Sequence, residues 1–150
     1  MDRILIATDG SPSAQEAIRF GIELAADQGA TATFVLAVPA VDVVPTSGFG
    51  FTGAVPHELT EHDREPLDEA RELAEEAGVT AHTRLLRGDP VDEIVAYADT
   101  LYADLIVVGS RGHGAVASAL LGSVSRGVLR EARRPVLVVR SAATREPAAV

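Results

Sequence analysis

Five short runs rich in Ile, Val and Leu, at residues 3–8, 31–38, 79–87, 104–108 and 136–139, alternate with four stretches of helical period. This alternation constrains the fold more than any other feature of the chain. Strand, helix and strand in succession close compactly as a right-handed crossover, so the runs predict a parallel sheet with helices on both faces. Such strands are buried on both sides, which suits the unbroken apolar run Leu105-Ile106-Val107-Val108. A chain of 150 residues fits one domain around one core. The expected class is therefore α/β, a three-layer sandwich with a five-stranded parallel sheet. Periodicity does not set the strand order. In the order 3-2-1-4-5 the ends of the first and fourth strands would share the crevice where these sheets bind ligands.

The junctions carry signals of their own. Asp9-Gly10-Ser11-Pro12 reads as a turn into a helix, with Ser11 as N-cap, Pro12 at the first helical position and Gly29 as the stop. Gly88-Asp89-Pro90 opens another helix through Ile94, Val95, Ala98 and Leu101. Residues 57–77 are read as a helix whose many Asp and Glu residues form a solvated face, with Pro66 kinking or interrupting it. Residues 39–55 show no period and are read as a long loop inserted after the second strand; loops of this length are commonly functional or mobile. Phe49 and Phe51 within it either cover a ligand or cover an edge of the core. Residues 141–150 are read as a loose tail.

The fourth strand leads into Gly109-Ser110-Arg111-Gly112-His113-Gly114, and Gly122-Ser123-Val124-Ser125 then opens a helix read over 123–132. A glycine-lined exit lets backbone N–H groups approach an anion closely, and a helix start supplies unpaired donors and a favourable dipole. The stretch is a candidate phosphate site. Glycines after a strand serve equally well as turn residues, and Ser123 as an N-cap, so the spacing alone leaves both roles open.

Composition narrows the partners. Net charge is −9, and all 13 basic residues are arginine. An acidic surface lacks the basic footprint that sequence-independent nucleic-acid binding needs. The lysine-free acidic balance is that of a halophilic protein, whose charge repulsion strong salt screens; an arginine bias from a GC-rich genome is the alternative. Without lysine there is no P-loop of the G-x-x-x-x-G-K-[ST] type, and without cysteine no disulfide or thiolate chemistry. No apolar run approaches the ~20 residues of a membrane span, and no signal peptide is visible, so a cytoplasmic location without membrane attachment is expected. His57, His62 and His82 show no metal-ligand spacing and are read as surface residues.

The spacing G-x2-G-x9-G-[ST], met by Gly109, Gly112, Gly122 and Ser123, joins Ile4-Leu5-Ile6-Ala7-Thr8-Asp9-Gly10-Ser11 at one end and Arg134-Pro135-Val136-Leu137-Val138-Val139 at the other. In these features the chain resembles the universal stress protein family, in its ATP-binding branch. The resemblance implies a domain over 1–140 with a Rossmann-like fold of the adenine nucleotide alpha hydrolase type. It also implies an ATP site. Asp9 would hold the ribose side, and Ala7, Thr8 and Val38 would line the adenine pocket, Val38 through its backbone. Val108, Gly109 and Gly112 would border ribose and phosphate, while Gly122, Ser123, Val124 and Ser125 would cradle the phosphates. Arg111 either pairs with a phosphate or faces solvent, and His113 could donate to a phosphate. Magnesium or manganese would arrive on the phosphates. The family commonly dimerises through its last strand, so a homodimer through 136–139 is expected; pairing there would also protect an apolar edge. The function implied is a nucleotide-binding stress regulator acting on an unidentified downstream protein. The alternatives are an interaction module that binds no nucleotide, or a slow ATPase; no catalytic residue is defined by the sequence.

Overall fold

The computed structural model describes residues 1–46, 48, 50, 52–111 and 121–140. Phe49, Phe51, Gly112, His113 and the stretch 141–150 lie outside the described residues. The elements run β1 (Arg3–Ala7), α1 (Pro12–Gln28), β2 (Thr31–Val38), β3 (Val41–Pro45), β4 (Thr52–Pro56), a 3₁₀ turn (Glu61–Asp63), α2 (Glu65–Glu76), β5 (Ala81–Arg87), α3 (Pro90–Leu101), β6 (Leu105–Gly109), α4 (Ser123–Glu131) and β7 (Val136–Val139).

Five strands form one parallel sheet in the order β5-β2-β1-β6-β7. With β3 and β4 left out of the count, this is the expected 3-2-1-4-5. Strand alternation divides the core between the two faces. Ile4, Ile6, Phe34, Leu105 and Val107 pack with Ala17, Ile18 and Ile22 of α1 and Leu67, Ala70 and Ala74 of α2. Leu5, Val35, Ile106 and Val108 pack on the other face with Ile94 and Ala98 of α3 and Val128 of α4. The period of two along each strand thus feeds both layers.

Local chemistry sets the helix ends. Ser11 Oγ accepts from the Ala14 N–H at 3.2 Å, Pro12 occupies the first turn, and Gly29 closes α1 at φ 64°. Asp89 caps α3 in the same way, its carboxylate accepting from Asp92 N–H at 3.1 Å.

Three expectations are corrected. The stretch 39–55 is not a plain loop: β3 and β4 pair antiparallel, with Val41 opposite Pro56 and Val43 opposite Ala54. The hairpin stands apart from the main sheet, and Val41 and Val43 are exposed on it. Its half-buried positions in β3 are Asp42 and Val44 while Val41 and Val43 are exposed, so no apolar–polar alternation follows the burial. The helix expected from residue 57 begins at Glu65, and Pro66 lies in its first turn, where a missing N–H breaks no helical bond. The cap of α4 is Gly122, not Ser123.

The start of β1 is fastened by a carboxylate. Asp104 Oδ2 accepts from the N–H groups of Asp2 at 2.8 Å and Arg3 at 2.9 Å, and those bonds hold its pKa below the ordinary 3.8. A depressed carboxyl pKa stabilises the fold above the unfolded value, and the contribution is lost as pH falls through the folded value. Amide protection at Asp2 and Arg3, corrected for the intrinsic pH dependence of exchange, is therefore expected to fall below pH 3.8. Asp104→Asn is expected to show faster exchange already at neutral pH, measured by NMR.

Candidate functional site

The carboxyl ends of β1 and β6 lie side by side, with Ile6 in register with Val107. This is the point where the strand order reverses, since β1 connects onward to β2 on one side and borders β6 on the other. The two turns that leave these strands touch. Ser11 Oγ donates to the Arg111 carbonyl at 3.5 Å, and Arg111 N–H donates to Ser13 Oγ at 3.1 Å. Ser13 and Ser110 are buried, with their hydroxyl oxygens 3.4 Å apart. Sequence reasoning passed over both serines because each reads as an ordinary turn or helix residue; only the crossing of α1 over the β6 exit brings them together.

On the β1 side, Ala7 and Thr8 are buried at the strand end. Thr8 N–H donates to the Val35 carbonyl at 2.9 Å, and its Oγ1 accepts from Gly10 N–H at 3.1 Å. Asp9 is exposed, and its Oδ1 accepts from Ser11 N–H at 2.9 Å, so it shapes the turn. Val38 is buried at the end of β2, and its carbonyl accepts from Gly88 N–H at 3.0 Å.

On the β6 side, the Val108 side chain belongs to the core. Gly109 has a structural cause of its own: a Cβ there would lie 2.7 Å from the Ser13 carbonyl oxygen. The Ser110 carbonyl ties the strand exit to α4, accepting from Gly122 N–H at 2.6 Å and from Ser125 Oγ at 3.2 Å. Ser125 Oγ also lies 3.1 Å from the Gly122 carbonyl, so the buried hydroxyl expected to face a phosphate is directed to backbone instead. Arg111 is exposed. Gly112 and His113, expected beside the phosphates, lie outside the described residues.

The start of α4 differs from those of α1 and α3. Both of those carry a side-chain cap, whereas Gly122 has no side chain to offer; the first turn of α4, like that of α1, holds no acidic residue. An α-helix has no internal acceptors for its first N–H groups, which here belong to Ser123, Val124 and Ser125. Ser123 is exposed and Val124 half-buried. Arg126, which sequence reasoning also passed over, stands one turn into the helix with its guanidinium on the Leu121 carbonyl at 3.2 Å. The combination of donors with no side-chain cap among the described residues, the helix dipole and a nearby arginine suits an anion.

A cavity of about 320 Å³ opens between α1 and α2, sharing Thr8 and Gly10 with this crevice. Glu69, Glu72 and Glu76 on its wall surround it with negative charge, which disfavours a phosphate there. Among the described residues no group of three or more His, Asp or Glu side chains is placed to hold a metal, and no helix is long and apolar enough to cross a membrane.

The chain is similar to known proteins over nearly all of its length. A universal stress protein of Methanocaldococcus jannaschii is 40% identical over 141 residues, covering 92% of this chain and 81% of the relative. A universal stress protein solved in complex with cAMP superposes with a TM-score of 0.69 at 31% identity, covering 92% of this chain and 95% of that one. The universal stress protein of Archaeoglobus fulgidus solved with dAMP gives a TM-score of 0.66 at 27% identity, covering 93% and 97%. The universal stress protein family model matches residues 1–140. With its strand order, its crevice and this match, the chain belongs to the universal stress protein family.

Proposed function

We propose that the protein binds an adenine nucleotide, ATP in the first place, between the ends of β1 and β6 and acts as a nucleotide-responsive stress regulator. The observation that carries this reading is the start of α4, where donors without a side-chain cap open at the switch point of a parallel sheet. The cAMP and dAMP complexes of related proteins support the adenine class. In this arrangement the N–H groups of Ser123 and Val124 take the phosphates, with Arg111 bordering them. Asp9 holds the ribose, and Ala7, Thr8 and Val38 line the base. Magnesium or manganese would be carried by the phosphates.

We place this activity in the cytoplasm, in a homodimer joined along β7. That strand ends the sheet, and its apolar residues Val136, Leu137, Val138 and Val139 are half-buried within one chain. The lysine-free, acidic composition supports a salt-rich setting.

Calorimetric titration of the purified protein with ATP, ADP, AMP and cAMP, in low and high salt, tests the reading. Stoichiometric binding is expected. Gly122→Val, which walls the helix start, is expected to weaken it at least tenfold, about 1.4 kcal/mol. Asp9→Ala is expected to weaken nucleoside binding as well. No heat with any nucleotide from folded protein would leave a dimeric interaction module. Phosphate release on prolonged incubation would add slow ATP hydrolysis.

A further inference from the structure

The β3–β4 hairpin pairs with no strand of the main sheet, and a lone two-stranded hairpin is marginal in water. Its position therefore depends on ties to the rest of the chain, and among the described residues several of them meet at His57, the residue that follows β4. The His57 N–H donates to the Ala40 carbonyl at 3.0 Å and closes the hairpin base. Its own carbonyl accepts from the Arg87 guanidinium at the end of β5. The imidazole lies between two carboxylates on different elements. Nδ1 is 2.8 Å from Asp42 Oδ1 on β3, and Nε2 is 3.6 Å from Asp63 Oδ1 on the 3₁₀ turn ahead of α2. Asp63 is held in place through its other oxygen, which accepts from Thr60 N–H at 2.7 Å and from the Thr60 hydroxyl at 3.0 Å.

The protonation state follows from this geometry. A carboxylate only accepts, so Nδ1 must carry a proton to bond Asp42. In neutral imidazole the lone pair then sits on Nε2, which is closed to solvent, has no hydrogen-bond partner among the described residues and faces Asp63. The other tautomer sets its lone pair against Asp42 at 2.8 Å. Only the imidazolium presents a proton to both carboxylates. His57 is thus not the plain surface residue expected from the sequence: its side chain is 18% exposed and lies between carboxylates of two different elements.

We infer that charged His57 is a pH-dependent clasp, fastening the β3–β4 hairpin to the segment ahead of α2 and releasing it when the ring loses its proton. Asp42 on the hairpin and Asp63 on the 3₁₀ turn favour the charged ring, while Arg87 brings a positive charge to the backbone beside it. His62 is turned away, paired with Glu65 at 2.9 Å on the open surface. The hydrogen bond to Asp42 raises the His57 pKa above 6.5; burial opposes this, and the charges of Asp42 and Asp63 add to it. A raised pKa gives a contribution that is complete below 6.5 and is lost as pH climbs through the folded value.

The test is an NMR titration of the full chain from about pH 5.5 to about pH 9.5, spanning the range in which histidine switches. The His57 ring signal, assigned by its loss in His57→Gln, is followed together with amide protection factors in β3 and β4, corrected for the intrinsic pH dependence of exchange. The ring midpoint is expected above 6.5, with hairpin protection lost at that same midpoint. In His57→Gln, protection is expected to stop depending on pH across this range. Should that variant not fold, Asp63→Asn serves, with the ring and hairpin midpoints expected to fall together. Hairpin protection that stays level while the ring titrates, or a ring midpoint at or below 6.5, would overturn the clasp.

Discussion

Gly109→Ala is expected to destabilise the protein by about 1–3 kcal/mol and to abolish nucleotide binding, although it adds a single methyl group. The added carbon would lie 2.7 Å from the Ser13 carbonyl oxygen and 2.8 Å from both its carbonyl carbon and its Oγ. Two of those atoms are backbone in the first turn of α1, so no rotamer change relieves the contact. The turn and the strand exit must separate. That movement breaks the bonds from Ser11 and Ser13 to Arg111, which hold the two halves of the crevice together. Chemical denaturation measures the stability loss, and calorimetry with ATP measures the binding loss. Gly29→Ala is the comparison. Gly29 sits at φ 64° with open space around its Cβ position, so the change costs about 1 kcal/mol through backbone strain, far from the crevice. Comparable destabilisation with binding intact in Gly29→Ala, and binding gone in Gly109→Ala, would assign the second loss to crevice geometry and not to stability in general.

Phe34→Ala is expected to have the largest effect on stability, about 3–5 kcal/mol, or roughly 6–20 °C in Tm. Phe34 is fully buried in the middle of β2, in register with Ile6 of β1 on one side and Thr83 of β5 on the other. Its ring fills the layer between the sheet and helices α1 and α2. Two strands and two helices border that space, so they cannot collapse into it without disturbing the sheet register, and the cavity term stays large. Denaturation monitored by circular dichroism gives the value. Nucleotide affinity measured well below the midpoint is expected to stay close to that of the natural chain, because Phe34 lies on the core side of β2 and not at its carboxyl end. A loss below about 1.5 kcal/mol would mean that the core repacks as it does for volume-conserving changes.

These expectations touch the proposed site in different ways. Gly109, read from the sequence as a contact for ribose and phosphate, is already required by the approach of α1, so it does not by itself mark a ligand site. Ser125 serves the link between α4 and the β6 exit. The weight of the nucleotide reading accordingly falls on the start of α4 and on the side-by-side strand ends, features that a spacing pattern expresses only indirectly.

Much of the architecture was legible in the chain because it rests on local, periodic causes. The runs at 31–38 and 136–139 are strands over the lengths their side chains predict. Ser11, Gly29 and Asp89 end their helices through bonds and conformations that each residue type favours for itself. The hairpin at 41–56 escaped because the half-buried face of β3 carries Asp42 beside Val44 while Val41 and Val43 are exposed, so polarity does not follow burial. The helical reading of 57–64 failed because polar period cannot separate a helix from the irregular stretch and 3₁₀ turn that precede α2. What only the tertiary structure decided is which residues far apart in the chain become neighbours. Ser13 meets Arg111, and His57 stands between Asp42 and Asp63, because crossovers and turns bring those backbones together. Periodicity reports how each segment faces the core. It carries no term for the distance between polar atoms on separate segments, and at this crevice and this clasp those distances set the chemistry.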